Sequence, residues 1–137
     1  MPEPYCRAAT AALVLPEQQE VRLPVWLSYH PYDCFAARLT FWTHGAEGVT
    51  WIFAWELLAA GLAGPAGRGD VRVGPVPGAG EVLLSLGRDG SGDRAHLRLP
   101  AADVECFVAE IAGRAAGDLC GVRQALDDEL VRLTERA

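Results

Sequence analysis

Between Val21 and Phe41 the apolar residues fall on every second position, twice over. Val21, Leu23, Val25, Leu27 and Tyr29 make one run, and Phe35, Ala37, Leu39 and Phe41 the other. Period two is the spacing of a strand with one buried face. His30-Pro31-Tyr32-Asp33 between the runs carries turn chemistry. The segment therefore predicts an antiparallel hairpin whose apolar face must be covered by other elements. Pro24 lies inside the first run and lacks a ladder N–H, so this strand is expected at a sheet edge or with a bulge.

Other strands are expected over residues 6–15, 49–53, 70–76, 81–86 and 94–99. Turns fall at 44–48 and at the open hairpin loop 87–93. A short helix is expected over 54–62, with Leu57, Leu58 and Leu62 on one side, ended by Gly61, Gly64 and Pro65. The period then changes. Val104, Phe107, Val108 and Ile111 have the i, i+3, i+4, i+7 spacing of a helix starting near Pro100 or Ala101. After a break at 113–121, Val122, Leu126, Leu130 and Leu133 form a second stripe. The chain reads as a single α+β domain over 1–137, with residues 1–7 flexible.

A chain of 137 residues buries roughly two-thirds of its unfolded surface, enough for a core without metals. The formal net charge is −6, and all 12 basic side chains are arginines, unclustered in sequence. That balance disfavours a phosphate backbone as partner. The start lacks a signal peptide's basic region and apolar run, and no apolar run is long enough to cross a bilayer. The four cysteines, at 6, 34, 106 and 120, make no close pair and are expected as reduced, mostly buried thiols in a cytoplasmic protein.

No residue set has the pattern of a catalytic, cofactor or metal site. In 64–69 the glycines follow a helix C-terminus, where the partial charge is negative, whereas a phosphate loop precedes a helix N-terminus. Arg68-Gly69-Asp70 is a chance tripeptide in a chain without a secretion signal. Asp89-Gly90-Ser91-Gly92-Asp93 lacks the further carboxylates of a calcium loop and reads as a hairpin tip. Cys34 and His30 are neighbours, but Asp33 beside the thiol raises its pKa, the reverse of what a nucleophile needs. His30, His44 and His96 lack metal-ligand spacing, and Asp127-Asp128-Glu129 reads as a solvated flank.

The four tryptophans all lie in the first half. Trp51 falls at the strand–helix junction and is expected in the core. Trp26 and Trp42 are out of phase with the inward positions and so face the opposite surface, and Trp55 points away from the Leu57–Leu58 side. Trp26, Trp42 and Trp55 are therefore the candidate protein-contact residues, because exposed tryptophan anchors interfaces.

Tyr29-His30-Pro31-Tyr32-Asp33-Cys34-Phe35-Ala36 resembles the Tyr-Asp-x-x-Asp-Pro-Tyr-Ala turn of SsgA-like proteins. The block 51–75 resembles their most specific signature: Trp51, Phe53, Leu57, Leu58, Gly61, Gly67, Gly69, Asp70, Val71 and Pro75 stand in it, with Tyr29 and Asp33 from the turn. The similarity covers about residues 20–135. His30, Cys34 and Trp55 depart from the family's Asp, Pro and Arg, which marks a divergent paralogue.

The resemblance implies a fold like that of the Whirly single-strand-binding proteins: two antiparallel β-sheets, a central helix and two C-terminal helices, assembled as a homotrimer. It also implies a cytoplasmic, non-enzymatic protein of sporulating actinobacteria, recruited to division septa and acting in septum positioning and wall remodelling. Implied partners are other copies of itself, the tubulin-like division protein FtsZ, an SsgA-like paralogue or a wall protein. Single-stranded nucleic acid is the alternative ligand, by analogy with the implied fold.

Overall fold

The computed structural model describes residues 4–42, 48–88, 94–115 and 130. In chain order the elements are β1 (Tyr5–Val14), a 3-10 turn (Pro16–Gln18), β2 (Glu20–His30), β3 (Asp33–Trp42), β4 (Gly48–Ala54), α1 (Trp55–Ala63), β5 (Val71–Val76), β6 (Glu81–Leu86), β7 (Ala95–Pro100) and α2 (Ala101–Ala115). Every strand and both helices lie where the hydrophobic periods put them. The expected flexibility of residues 1–7 is corrected for Tyr5, Cys6 and Arg7, which belong to β1. The second C-terminal stripe, the hairpin tip and the Asp127-Asp128-Glu129 flank lie outside the described residues, Leu130 apart.

The strands form one sheet, not two. Their order is β4-β3-β2-β1-β7-β6-β5, antiparallel throughout. Two strand groups are joined because β1 pairs with β2 along its whole length and then with β7 at Ala12, Leu13 and Val14 only. The short seam lets the two groups turn relative to each other while sharing one hydrogen-bonded ladder, so the sheet curls.

The inner face holds the core. Val25, Leu27, Tyr29, Leu39 and Phe41 come from the first group and Val82, Leu84, Leu97 and Leu99 from the second. Leu58 of α1 and Val104, Phe107 and Ile111 of α2 close it. Helix α2 is fastened to β1 at three points. Arg7 donates twice to Asp103 Oδ1, at 3.1 and 2.8 Å. Tyr5 stacks on Phe107 at 5.9 Å, and the Arg114 guanidinium lies 5.0 Å from the Tyr5 ring centre.

Two local expectations are corrected. β2 is an interior strand between β1 and β3, and Pro24 lies just before Val25, the first β2 residue paired with β3 among the described residues. The bulge lies further on. His30 pairs with Asp33 but Tyr29 pairs with Ala37, leaving residues 34–36 as extra length in β3. That slip buries Cys34 and turns Phe35, expected inside, to 56% exposure.

Candidate functional site

The β4–α1–β5 crossing is built on missing side chains. Gly61 does not end α1; it lies inside it, and a Cβ there would stand 2.2 Å from Val73 Cγ1. Its absence lets the helix lie directly on β5. Gly64 is the actual C-cap, its N–H bonded to Ala60 O at 3.2 Å. Gly67 has φ +94°, and a Cβ would lie 2.4 Å from Val71 O. This turn lets Ala66 pair with Val73 through two backbone bonds, covering part of the β5 edge. Arg94 holds the same loop from the other side. It donates to the carbonyls of Gly69, Asp70, Ser85 and Gly87 and to Ser85 Oγ.

The signature residues are thus architectural in placement. Tyr29 and Leu58 are buried; Trp51, Phe53, Leu57 and Val71 pack against the core. Asp33 pairs with Arg38 at 3.4 Å, and Asp70 O accepts from Gly87 N–H at 3.0 Å. Pro75 sits opposite Val82 in the β5–β6 ladder. Nothing lies within 4 Å of a Cβ placed on Gly69.

The opposite, outer face of β1–β4 carries the candidate contact residues. Trp26 is 43% exposed and Trp42 40%. Register places Thr50, Thr40, Trp26 and Ala8 in one row across the sheet, and Ile52, Arg38, Ser28 and Cys6 in the next. Ile52 is 58% exposed. Trp42 stands opposite Gly48, where a Cβ would come 2.9 Å from its Nε1, so the indole leans over β4. The Thr40 and Thr50 hydroxyls bond at 2.9 Å. Neither helix covers this face, since α1 and α2 pack on the other one. Arg22 and Ile52 were not singled out from the sequence, although both occupy the same outward phase as Trp26.

Trp55 stands apart from the other two. It is half-buried and packed against the core, and its indole N–H donates to Cys34 O at 3.0 Å. The bond ties the start of α1 to the β3 bulge, so the side chain is no free-standing anchor.

Several groups that could carry chemistry are otherwise engaged. Cys34 is 2% exposed and disulfide-bonded, which corrects the reduced thiol expected there and removes the Cys34–His30 pairing. Cys6 and Cys106 are free thiols, but exposed rather than buried. Ser85 Oγ lies 3.1 Å from His96 Nδ1, resembling a nucleophile and base. Arg94 Nε also donates into that oxygen at 3.0 Å, and the same guanidinium donates to the Ser85 and Gly87 carbonyls, so the serine is held within a network that ties β6 to β7. Among the described residues no three His, Cys, Asp or Glu side chains converge as metal ligands, and no helix is long and apolar enough to cross a membrane.

A family model described as Streptomyces sporulation and cell division protein, SsgA, matches residues 23–116. A sporulation-specific cell division protein of Frankia casuarinae is 37% identical over 101 residues, 74% of this chain and 69% of the relative. SsgB of Streptomyces coelicolor is 36% identical over 96 residues, 70% of each. Among solved structures, one concerned with SsgB mutations that correlate to longitudinal cell division during S. coelicolor sporulation superposes with TM-score 0.71 at 32% identity. It covers 85% of this chain and 92% of its own. The SsgA-like sporulation-specific cell division protein of Thermobifida fusca gives TM-score 0.74 at 25% identity, covering 98% and 96%. With the signature residues building the crossing described above, the chain belongs to the SsgA family of sporulation and cell division proteins.

Proposed function

We propose that this protein is a non-catalytic scaffold of sporulation-specific cell division, acting through protein contacts to help position septum and wall-remodelling machinery. The observation that carries the reading is the outer face of β2–β4, which neither α1 nor α2 covers and where Trp26, Trp42 and Ile52 stand exposed on adjacent strands. Large side chains held on a rigid sheet anchor interfaces at little entropic cost. Partners in keeping with the relatives are a division protein such as FtsZ, an SsgA-like paralogue or a wall protein, met in the cytoplasm at the septum. Self-association, with a homotrimer as the expected state, is part of the same reading, and light scattering on the purified chain tests it. For the scaffold role, a fluorescent fusion expressed in a sporulating host should form ladders at septa. The Trp26→Ala, Trp42→Ala double variant should stay folded but diffuse. Ladders that persist in the folded double variant would refute the assignment of this face.

A second reading has one observation in its favour. Arg22 and Arg38 share the outer face with Trp26 and Trp42, a mixture of cations and stacking rings suited to single-stranded nucleic acid, as in the Whirly analogy. Against it, Arg38 is paired with Asp33. A gel shift with oligothymidylate at low salt discriminates, since true binding must weaken steeply as salt rises.

A further inference from the structure

We infer that β4 is a two-fold pairing edge for a second copy of this chain, joined antiparallel through the backbone of residues 48–54. The inference adds a contact to the self-association proposed above and makes no use of the contact role of Trp26 and Trp42.

Three observations carry it. First, β4 ends the sheet and pairs with β3 alone among the described residues. All seven of its residues are described and five are exposed, Val49, Thr50 and Ile52 among them. An antiparallel ladder engages alternate residues on each side of a strand, so β3 leaves every second N–H and C=O of β4 turned outward. Second, this edge has none of the devices that keep sheet edges apart. Residues 48–54 hold no charge and no proline, and their register with β3 runs without a bulge. The opposite edge is guarded: β5 carries Arg72 and Pro75, and Ala66 pairs with Val73 along part of it. Third, β4 is complementary to itself. Pairing centred on Trp51 sets all seven residues opposite a residue of the copy. Gly48 then meets Ala54, Val49 meets Phe53 and Thr50 meets Ile52. Each pair shares one side of the sheet, because the β3 register puts Gly48, Thr50, Ile52 and Ala54 on the outer side and the others on the inner. Small residues meet at the ends, and β-branched and aromatic residues meet between them, with no like charges opposed. This selects a second copy as the occupant. A charged segment would find no counter-charge along this edge, whereas β4 itself brings a strand-forming side chain to each central position. The contact is isologous, so it doubles whatever the rest of the surface assembles: a monomer becomes a dimer, and a trimer a hexamer.

The test combines light scattering with amide exchange on the full chain over a dilution series. The mass should double as concentration rises, and the β4 amides not bonded to β3 should exchange more slowly in the doubled species. Two double variants read the register. Thr50→Lys with Ile52→Lys sets like charges opposite each other twice, and should weaken doubling about tenfold even though it lowers the net negative charge. Thr50→Lys with Ile52→Glu sets opposite charges there and should double as the parent does. Circular dichroism checks the folding of both, and should either fail to fold, amide exchange in the parent decides alone. A mass that never doubles overturns the inference, and so does equal doubling in the two variants. So do outward β4 amides protected alike at every concentration, since the chain's own residues would then hold the edge. A trimer that does not double would leave self-association standing and this contact refuted. A dimer with neither trimer nor hexamer would do the reverse for the homotrimer.

Discussion

Gly61 shows how one absent methyl group sets the relation between a helix and a sheet edge. Alanine would favour the helix by up to about 1 kcal/mol. Its Cβ, however, would fall 2.2 Å from Cγ1 and 3.1 Å from the backbone carbon of buried Val73. Overpacking of that kind costs about 1–3 kcal/mol, so the clash wins. Gly61→Ala should lower unfolding free energy by about 1–2 kcal/mol in urea titration, and adding Val73→Ala should recover part of the loss. Trp55 makes a gentler test. Trp55→Phe removes the bond to Cys34 O together with part of the indole's packing, so about 1 kcal/mol or more should be lost in the same titration. A loss near zero would mean that water replaces the carbonyl's partner and that Trp55 is free to serve a contact instead.

At the scale of elements, Arg94 does for the 64–70 loop what a helix would do in a larger protein. One guanidinium reaches carbonyls on both sides of the β5 entry, and no lysine could fork to all of them. Arg94→Lys should leave the core intact but speed amide exchange at Gly87, whose N–H bonds Asp70 O, well above exchange in β2. The Arg7–Asp103 clamp behaves differently with pH. Its hydrogen bond to Asp103 raises the Arg7 pKa above an already high ordinary value. A raised pKa gives stability that is full below the unfolded value and lost only as pH rises through the folded one, in strong alkali. Arg7 itself should therefore give no stability change between neutral and mildly alkaline pH. Elements of this kind were legible in the sequence wherever a period ran uninterrupted, as in 21–29, 81–86 and 104–111. The β3 bulge was not, because residues 34–36 break the phase without any glycine or proline to announce it. Arg94 was equally silent, since its partners are backbone carbonyls, which sequence does not distinguish.

At the scale of the fold the described residues are asymmetric: a curled sheet with α1 and α2 on one face and Trp26 and Trp42 on the other. The exposure of Trp26 and Trp42 could be read from their phase alone. That neither α1 nor α2 covers their face could not, since it depends on where those helices finally pack. Charge is divided as well. The nine arginines among the described residues meet nine carboxylates there, so the chain's entire net charge of −6 belongs to the remaining segments. The described residues are therefore neutral as a set, unlike the chain as a whole. This asymmetry makes folding and contact separable. Removing an exposed side chain that fills no core space changes stability by about 0.5 kcal/mol or less, whereas truncating a buried aromatic costs about 3–5 kcal/mol. Trp26→Ala with Trp42→Ala should thus unfold within about 1 kcal/mol of the parent in urea, yet fail to restore septation in a sporulating strain lacking the native protein. Phe107→Ala, which empties the centre of α2's packing, should fail through lost stability, detectable as a lower midpoint before any septation assay is run. If the tryptophan pair instead destabilised as Phe107→Ala does, the outer face would be structural and the contact surface would have to lie elsewhere.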